Sequence, residues 1–319
     1  MFSVGHLHRT FAAIVLLSVV AAGNSAVLSA KSPEFDFTLL YHAAQLANQA
    51  YNGKSEIIGK HPGRSAWVAT PGNAEVQYIL IRNDKRRVQA IAVRGSANHT
   101  NWDLDMDTRG VRDEKTGILM HRGFRIAAEA IYGDVKPRLK RGYTTYLTGH
   151  SLGGAVAAIL GTYLLDDKFK MGGILTFGQP KFTNLAGAKA YEDLPLLRLI
   201  YQNDTVPLLP DRTKRSGQEF AHTGAVINLL SGPYYVYGTA EQGLQFSQGS
   251  FGKLFGQISV PDHSMKWYLK SLRDKLDGAT EVSFEDRNKH IIRHRRGTGG
   301  AERSKPVRRI YNFNRHHPD

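Results

Sequence analysis

The chain has 319 residues, of which 41% are hydrophobic and 22% charged, a composition that suits a globular protein and excludes general disorder and a membrane bundle. It contains no cysteine, which excludes thiol nucleophiles, disulfide bonds and thiolate metal sites. The formal net charge is +14, and residues 287–319 supply +8 of it, from ten Lys or Arg against two acids.

The first 30 residues have the pattern of an export signal. The first ten residues carry Arg9 with His6 and His8, and residues 11–22 are apolar except for Ser18, with small residues after them. A run of this length suits the core of a signal peptide and is short for a membrane span. We therefore predict a signal peptide over residues 1–30 and a secreted, periplasmic or cell-envelope location. The alternative is a protein anchored in the membrane by this segment.

Residues 31–286 alternate between helical and strand patterns and are predicted to form one domain. The pattern begins with a helix over 37–51, followed by strands at 66–69, 76–82 and 88–94. Further on it predicts helices at 123–139, 152–165 and 263–276, the last capped by Asp262, and strands at 144–148, 173–177, 196–201 and 221–229. This alternation predicts an α/β fold with a mostly parallel sheet covered by helices on both faces. Residues 231–259 have no clear pattern.

A Gly-x-Ser-x-Gly motif is the first sign of chemistry. Gly149, Ser151 and Gly153 lie between a predicted strand and a helix rich in small residues, which is the context that this motif requires. Such a turn lifts the serine hydroxyl above the end of the sheet, so we predict Ser151 as a nucleophile. The backbone N–H of Leu152 and that of Ser96, which follows a strand, are the predicted donors to the oxyanion.

A serine nucleophile needs a carboxylate that orients its base, and Asp204 is the preferred candidate. Serine, acid and histidine follow one another in this order in enzymes with such a turn. Asp204 comes directly after a predicted strand and before a proline-containing loop, so it is expected to project from the carboxyl end of that strand. Asp193, Asp211 and Asp262 are the competing acids.

Two histidines are candidates for the base. His263 follows an irregular stretch and opens the last predicted helix, a junction that can bring an imidazole back over Ser151. His222 is the second candidate, but it lies within or at the start of a predicted strand. Position alone leaves both open, with His263 preferred.

Several motifs, taken in order, resemble the class 3 lipases, the family of fungal triacylglycerol lipases and related plant and bacterial esterases. They span about 37–276 and are Arg94-Gly-Ser, Asn101-Trp-Asp-Leu-Asp, Met120-His-Arg-Gly-Phe, Gly149-His-Ser-Leu-Gly-Gly, Leu175-Thr-Phe-Gly-Gln-Pro-Lys, Asn203-Asp-Thr-Val-Pro-Leu-Leu-Pro and Asp262-His263.

The resemblance implies an α/β-hydrolase fold and hydrolysis of a lipid ester through an acyl-enzyme. It implies Ser151, Asp204 and His263 as the catalytic triad and Ser96 with Leu152 as the oxyanion hole, without a cofactor or a metal. Triacylglycerol, monoacylglycerol and phospholipid all remain candidate substrates, and a short soluble ester is a further alternative. Peptidase or thioesterase chemistry on the same triad is another.

Two segments depart from the resemblance. Residues 97–107, where the family's oil-active members have an apolar lid, carry Asp103, Asp105 and Asp107, which argues against interfacial activation. Residues 287–319 lie beyond the motifs and form a basic tail that we predict to be disordered. This tail suits an anionic membrane or envelope surface, whereas nucleic acid is not expected as a partner. A catalytically idle fold with a surface-binding tail is therefore the alternative function, and the oligomeric state is left open.

Overall fold

The computed structural model of the protein describes residues 33–61, 65–73, 75–96, 109–210, 219–242 and 260–291. The predicted export signal, the acidic lid segment and most of the basic tail lie outside the described residues. The α-helices are α1 (Phe37–Gln49), α2 (Lys54–Gly59), α3 (Arg122–Val135), α4 (Leu152–Asp166), α5 (Leu185–Ala190) and α6 (Met265–Arg273). The strands are β1 (Ser65–Ala69), β2 (Tyr78–Asn83), β3 (Val88–Val93), β4 (Gly110–Arg112), β5 (Leu119–His121), β6 (Thr144–His150), β7 (Met171–Phe177), β8 (Thr183–Asn184), β9 (Leu196–Tyr201), β10 (Phe220–Ala221), β11 (Ala225–Leu229), β12 (Tyr234–Gly238) and β13 (Thr280–Glu281).

The main sheet has nine strands in the order β1-β2-β3-β6-β7-β9-β11-β12-β13. Its centre, from β3 through β6, β7 and β9 to β11, is parallel. Strand β2 is antiparallel to β1 and β3, and β12 is antiparallel to β11. The predicted mostly parallel sheet is confirmed. Because the central strands are parallel, their carboxyl ends lie along one edge, where loops from distant parts of the chain meet.

Helices cover both faces of this sheet. Alternate side chains of a strand point to opposite faces, and Ile174 of β7 belongs to the core beneath α3 and α4, whereas Phe177 belongs to the core beneath α1 and α6. Helix α4 lies close to the sheet because its small residues allow it: a Cβ on Gly161 would come within 2.2 Å of Ile174 Cδ1. Among the helices that the structure describes, this small-residue helix has the most buried residues.

A second, antiparallel sheet of four very short strands, in the order β10-β8-β5-β4, was not predicted from the sequence. Strands of two or three residues are too short for a periodic pattern to reveal them. The prediction of one strand over 221–229 was wrong, because the chain leaves this small sheet after β10 and enters the main sheet at β11. Gly224 makes the turn between them with a φ of +77°, and a Cβ there would lie 2.5 Å from Leu196 O.

The last helix also differs from its prediction. Residues Val260–His263 form a separate 3₁₀-helix, and α6 begins only after Ser264. Ser264 has an extended backbone, and its side chain accepts a hydrogen bond from Lys266 N, so Ser264 caps the helix. The predicted cap by Asp262 was therefore wrong. The described chain then continues past the predicted domain end into the 3₁₀-helix Asp286–His290, where Ser231 N and Oγ both donate to His290 O.

Candidate active site

Ser151 lies on the turn between β6 and α4. Its φ of 63° and ψ of −134° are a strained backbone conformation for a residue with a side chain. Two backbone hydrogen bonds hold the turn, from Ser151 N to Phe177 O and from Gly154 N to Ser151 O, at 2.8 and 2.9 Å. The strain is thus fixed by the carboxyl end of β7 and by the first turn of α4.

The motif's glycines are required by close contacts. A Cβ on Gly149 would lie 2.3 Å from Gly153 O, and one on Gly153 would lie 2.2 Å from Val93 O. Backbone therefore passes against backbone on both sides of the turn, and side chains at these positions would force strand and helix apart. This is the structural reason for the glycine spacing in the sequence.

The structure brings His263 and Asp204 to Ser151. His263 Nε2 lies 2.7 Å from Ser151 Oγ, and His263 Nδ1 lies 2.8 Å from Asp204 Oδ2. All three side chains are buried. Because a carboxylate can only accept, the Asp204 contact holds the imidazole proton on Nδ1, which leaves Nε2 as an acceptor for the serine proton. This is the geometry of a serine nucleophile with a base and an orienting acid.

Two further donors hold the Asp204 carboxylate. Tyr268 O–H, on α6, donates to Asp204 Oδ2 at 2.5 Å, and Val206 N donates to Oδ1 at 3.0 Å. Burial and the neighbouring carboxylate raise the pKa of Tyr268 well above its ordinary value, so the phenol keeps its proton. Sequence reasoning missed Tyr268, and its place one helical turn beyond the cap of α6 was the only local signal.

The competing candidates lie elsewhere. Asp193 is exposed on the turn before β9, and Asp262 is buried in the 3₁₀-helix that ends at His263. His222 has its Nε2 2.6 Å from Pro207 O, and burial lowers its pKa well below the ordinary value. Asp211 lies outside the described residues.

The two predicted oxyanion donors flank the serine. Leu152 is the first residue of α4, directly after Ser151. On the other side the loop after β3 lies against the nucleophile, since a Cβ on Gly95 would come within 3.1 Å of Ser151 Cβ. Ser96 is the next residue along this loop. The role of both residues stays a prediction.

A cavity of about 670 Å³ opens beside His263 between α1 and α6. Its volume is in the range of small-molecule sites. Three cations of α6 line it, whereas none of its lining residues is acidic. The lining consists of Asn48, Tyr51, His150, His263, Ser264, Met265, Lys266, Leu269, Lys270 and Arg273.

The chain is similar to known lipases in sequence. Residues 90–214 match the family model described as Lipase (class 3), which confirms the resemblance seen in the motifs. A secreted mono- and diacylglycerol lipase of Fusarium solani is 29% identical over 48% of this chain and 45% of its own. A lipase of Caenorhabditis elegans is 32% identical over 45% of this chain and 43% of its own. A chloroplastic phospholipase A1 of Arabidopsis thaliana is 22% identical over 58% of this chain and 28% of its own. The chain spans less than half the length of these relatives.

Solved structures share the fold. A triacylglycerol lipase whose catalytic centre is described as a serine protease triad superposes with a TM-score of 0.60 at 22% identity, over 71% of this chain and 92% of that one. Lipase II from Rhizopus niveus superposes with a TM-score of 0.56, also at 22% identity and with the same coverage. This likeness confirms the predicted α/β-hydrolase fold.

Proposed function

From the class 3 lipase segment that this chain carries at residues 90–214, we propose that the protein is a serine carboxylic ester hydrolase that cleaves lipid esters through an acyl-enzyme. The observation that carries the proposal is the hydrogen-bonded series of Ser151, His263 and Asp204 on a strained strand-to-helix turn. A scaffold without chemistry has no need of such a strained serine, and strain of this kind concentrates at functional sites.

The proposed reaction starts with proton transfer from Ser151 Oγ to His263 Nε2 as Oγ attacks the ester carbonyl carbon. Asp204 stabilises the imidazolium that forms, and Tyr268 and the backbone of Val206 keep its carboxylate in place. His263 then returns the proton to the departing alcohol, which leaves an acyl group on Ser151. A water molecule attacks this acyl group as His263 takes its proton. The bond between the acyl carbon and Ser151 Oγ then breaks, His263 returns the proton to Oγ, and the fatty acid leaves.

The oxyanion of each tetrahedral intermediate is assigned to the backbone N–H groups of Leu152 and Ser96. The helix that begins at Leu152 adds the positive end of its dipole at this position. The loop of Ser96 lies against Ser151 through Gly95, where the lack of a side chain allows the approach. No metal or cofactor is needed for these steps.

Lipid esters are proposed as substrates from the family match and from the relatives that bear lipase and phospholipase names. The cavity beside His263 combines buried Met265 and half-buried Leu269 with Lys266, Lys270 and Arg273. Apolar side chains suit an acyl or glyceryl part. Lys266 and Arg273 suit an anionic head group, whereas Lys270 forms an ion pair with Asp274. Among triacylglycerol, monoacylglycerol and phospholipid, this lining favours a glycerolipid that carries a negative charge.

The test is hydrolysis of p-nitrophenyl esters of short and long acyl chains by the protein and by Ser151→Ala. We expect the variant to lose at least about a thousandfold in kcat, the scale of removing a serine nucleophile. Ser283→Ala is the matched control, because Ser283 is exposed and its hydroxyl donates to Asp286, the first residue of the 3₁₀-helix Asp286–His290. A Ser151→Ala protein as active as the control would refute the proposal.

We also propose that the protein acts outside the cytoplasm and that its basic tail attaches it to an anionic surface. A secreted Fusarium lipase among the relatives supports export, and no helix among the described residues has the length and apolarity to span a membrane. Deletion of residues 292–319 keeps the His290 contact and tests the tail. We expect co-sedimentation with anionic vesicles to fall and ester hydrolysis to persist. Unchanged sedimentation would contradict the role of the tail.

A further inference from the structure

His150, the residue before the nucleophile, connects two elements of the site through its ring. His150 Nε2 lies 2.7 Å from the backbone oxygen of His263, and His150 Nδ1 lies 2.8 Å from the hydroxyl of Tyr51, which comes just after α1. The ring also packs on the imidazole of His263, with centroids 4.5 Å apart and planes inclined by 31°. His150 is only 1% exposed, so these contacts are shielded from solvent.

The contact with His263 fixes the position of one proton of the His150 ring. The oxygen of His263 is a carbonyl and only accepts, so Nε2 of His150 carries a hydrogen and donates it. In the neutral ring Nδ1 is then an acceptor, and the hydroxyl of Tyr51 donates to it. The neutral form of His150 therefore satisfies both partners, and a neutral ring does not repel the imidazolium that His263 becomes during the proposed reaction.

The Tyr51 hydroxyl also reaches the loop of the predicted oxyanion donor. It packs directly against Gly95, since a Cβ on Gly95 would lie only 2.4 Å from this oxygen. Burial raises the pKa of Tyr51 far above its ordinary value, so the hydroxyl stays a donor at neutral pH. One oxygen thus contacts the Gly95–Ser96 loop on one side and the His150 ring on the other.

We propose that Tyr51 and His150 are positioning residues that hold the oxyanion loop and the base in register with Ser151. The inference rests on the proposed function. The link runs from the packing contact of Gly95 with the Tyr51 hydroxyl, through the His150 ring, to the backbone of His263. Neither residue is assigned contact with the substrate's reacting atoms. Their effect is geometric, and small displacements of reacting groups cost large factors in rate.

The first test is Tyr51→Phe, which keeps the ring and removes the hydroxyl. We expect kcat on p-nitrophenyl butyrate to fall about 10- to 100-fold with KM within about twofold, since the phenyl ring still lines the cavity beside His263 whereas the alignment of the reacting groups is lost. The rate at which a p-nitrophenyl phosphonate labels Ser151 falls by a similar factor. Tyr143→Phe is the control. Tyr143 precedes β6, at the opposite end of the strand from Ser151, and its hydroxyl donates to Asp84. Thermal melting checks that both variants are folded.

The second test compares His150→Gln with His150→Phe. Gln places an amide N–H near the position of Nε2 and can still donate to the His263 oxygen, whereas Phe keeps the flat ring and loses both hydrogen bonds. A positioning role predicts that Gln retains more kcat than Phe, even if Phe is the more stable protein. A purely structural role predicts that kcat follows stability.

The outcomes separate this inference from the proposed function. If the wild type is active and the kcat of Tyr51→Phe lies within twofold of that of Tyr143→Phe, the positioning role is overturned and the proposed function stands. A His150→Phe protein as active as His150→Gln would have the same meaning. A wild-type protein that neither cleaves any ester nor reacts with the phosphonate would overturn both proposals. The positioning role of Tyr51 and His150 is supported if Tyr51→Phe loses kcat at constant KM and if His150→Gln keeps a higher kcat than His150→Phe.

Discussion

Gly178 offers a sharp test of the geometry around the proposed base. It follows β7 with a φ of +57°, and a Cβ there would lie 2.8 Å from Asp204 Oδ2 and 2.8 Å from both Nδ1 and Cε1 of His263. Ordinary contacts of a Cβ begin at 3.4 Å, so Gly178→Ala must push the pair away by about 0.6 Å, the difference between 3.4 and 2.8 Å. The methyl group would enter at the hydrogen bond between acid and base.

Gly178→Ala should change two quantities, the free energy of unfolding and kcat. The left-handed backbone costs an alanine about 1–2 kcal/mol of stability. Displacement of the acid and base by a fraction of an ångström should lower kcat about 10- to 100-fold, because the rate depends steeply on the alignment of the reacting groups. Steady-state hydrolysis of p-nitrophenyl butyrate measures the second quantity, and urea unfolding measures the first.

Gly232 provides the matched control. Its φ is +58°, and a Cβ there would meet nothing within 4 Å. Gly232→Ala therefore has the same conformational cost and should leave kcat unchanged. If Gly178→Ala were as active as Gly232→Ala, the close packing of Gly178 against the acid and base would not matter for catalysis, and the reasoning would be refuted.

Two other side chains give predictions of a different kind. Tyr268→Phe removes the donor to Asp204, and we expect urea unfolding to show a loss of about 1–3 kcal/mol together with a lower kcat; an unchanged midpoint and kcat would contradict this. Lys275 donates to the oxygens of Leu230 and Gly232 and to both oxygens of Ser271, so Lys275→Met should destabilise the fold by about 1–3 kcal/mol. Burial lowers the pKa of Lys275 from 10.5 to about 8. Between these values the unfolded chain binds the extra proton, so the wild type should gain stability relative to the variant as pH rises from about 8 to about 10, and a gap that shrinks with pH would refute the assignment.

Much of the architecture was predictable because it depends on local pattern. Helical and strand periodicities marked α1, α3, α4 and α6 and the strands β1, β2, β3, β6, β7 and β9 to within a few residues, and their alternation implied the parallel centre. The short helices α2 and α5 and the edge strands β12 and β13 were not predicted. The glycines around Ser151 marked the turn, since each is required by a backbone contact that no other residue tolerates. Export and the nature of the basic tail stay predictions.

Position in the chain favoured Asp204 and His263, and the family resemblance implied them, but only the tertiary structure shows how they meet Ser151. His263 meets Ser151 across 112 residues of chain and meets Asp204 across 59. Sequence spacing does not encode such distances, because they follow from the order of the strands and from which loops share the carboxyl edge of the sheet. The same holds for Tyr268 and for the Tyr51–His150 link, because Tyr268 lies on α6, Tyr51 follows α1 and His150 ends β6. The sequence by itself determined the long helices, most strands of the main sheet and the turn at Ser151, because these follow from local pattern, whereas the packing of the sheet decided which side chains surround the serine.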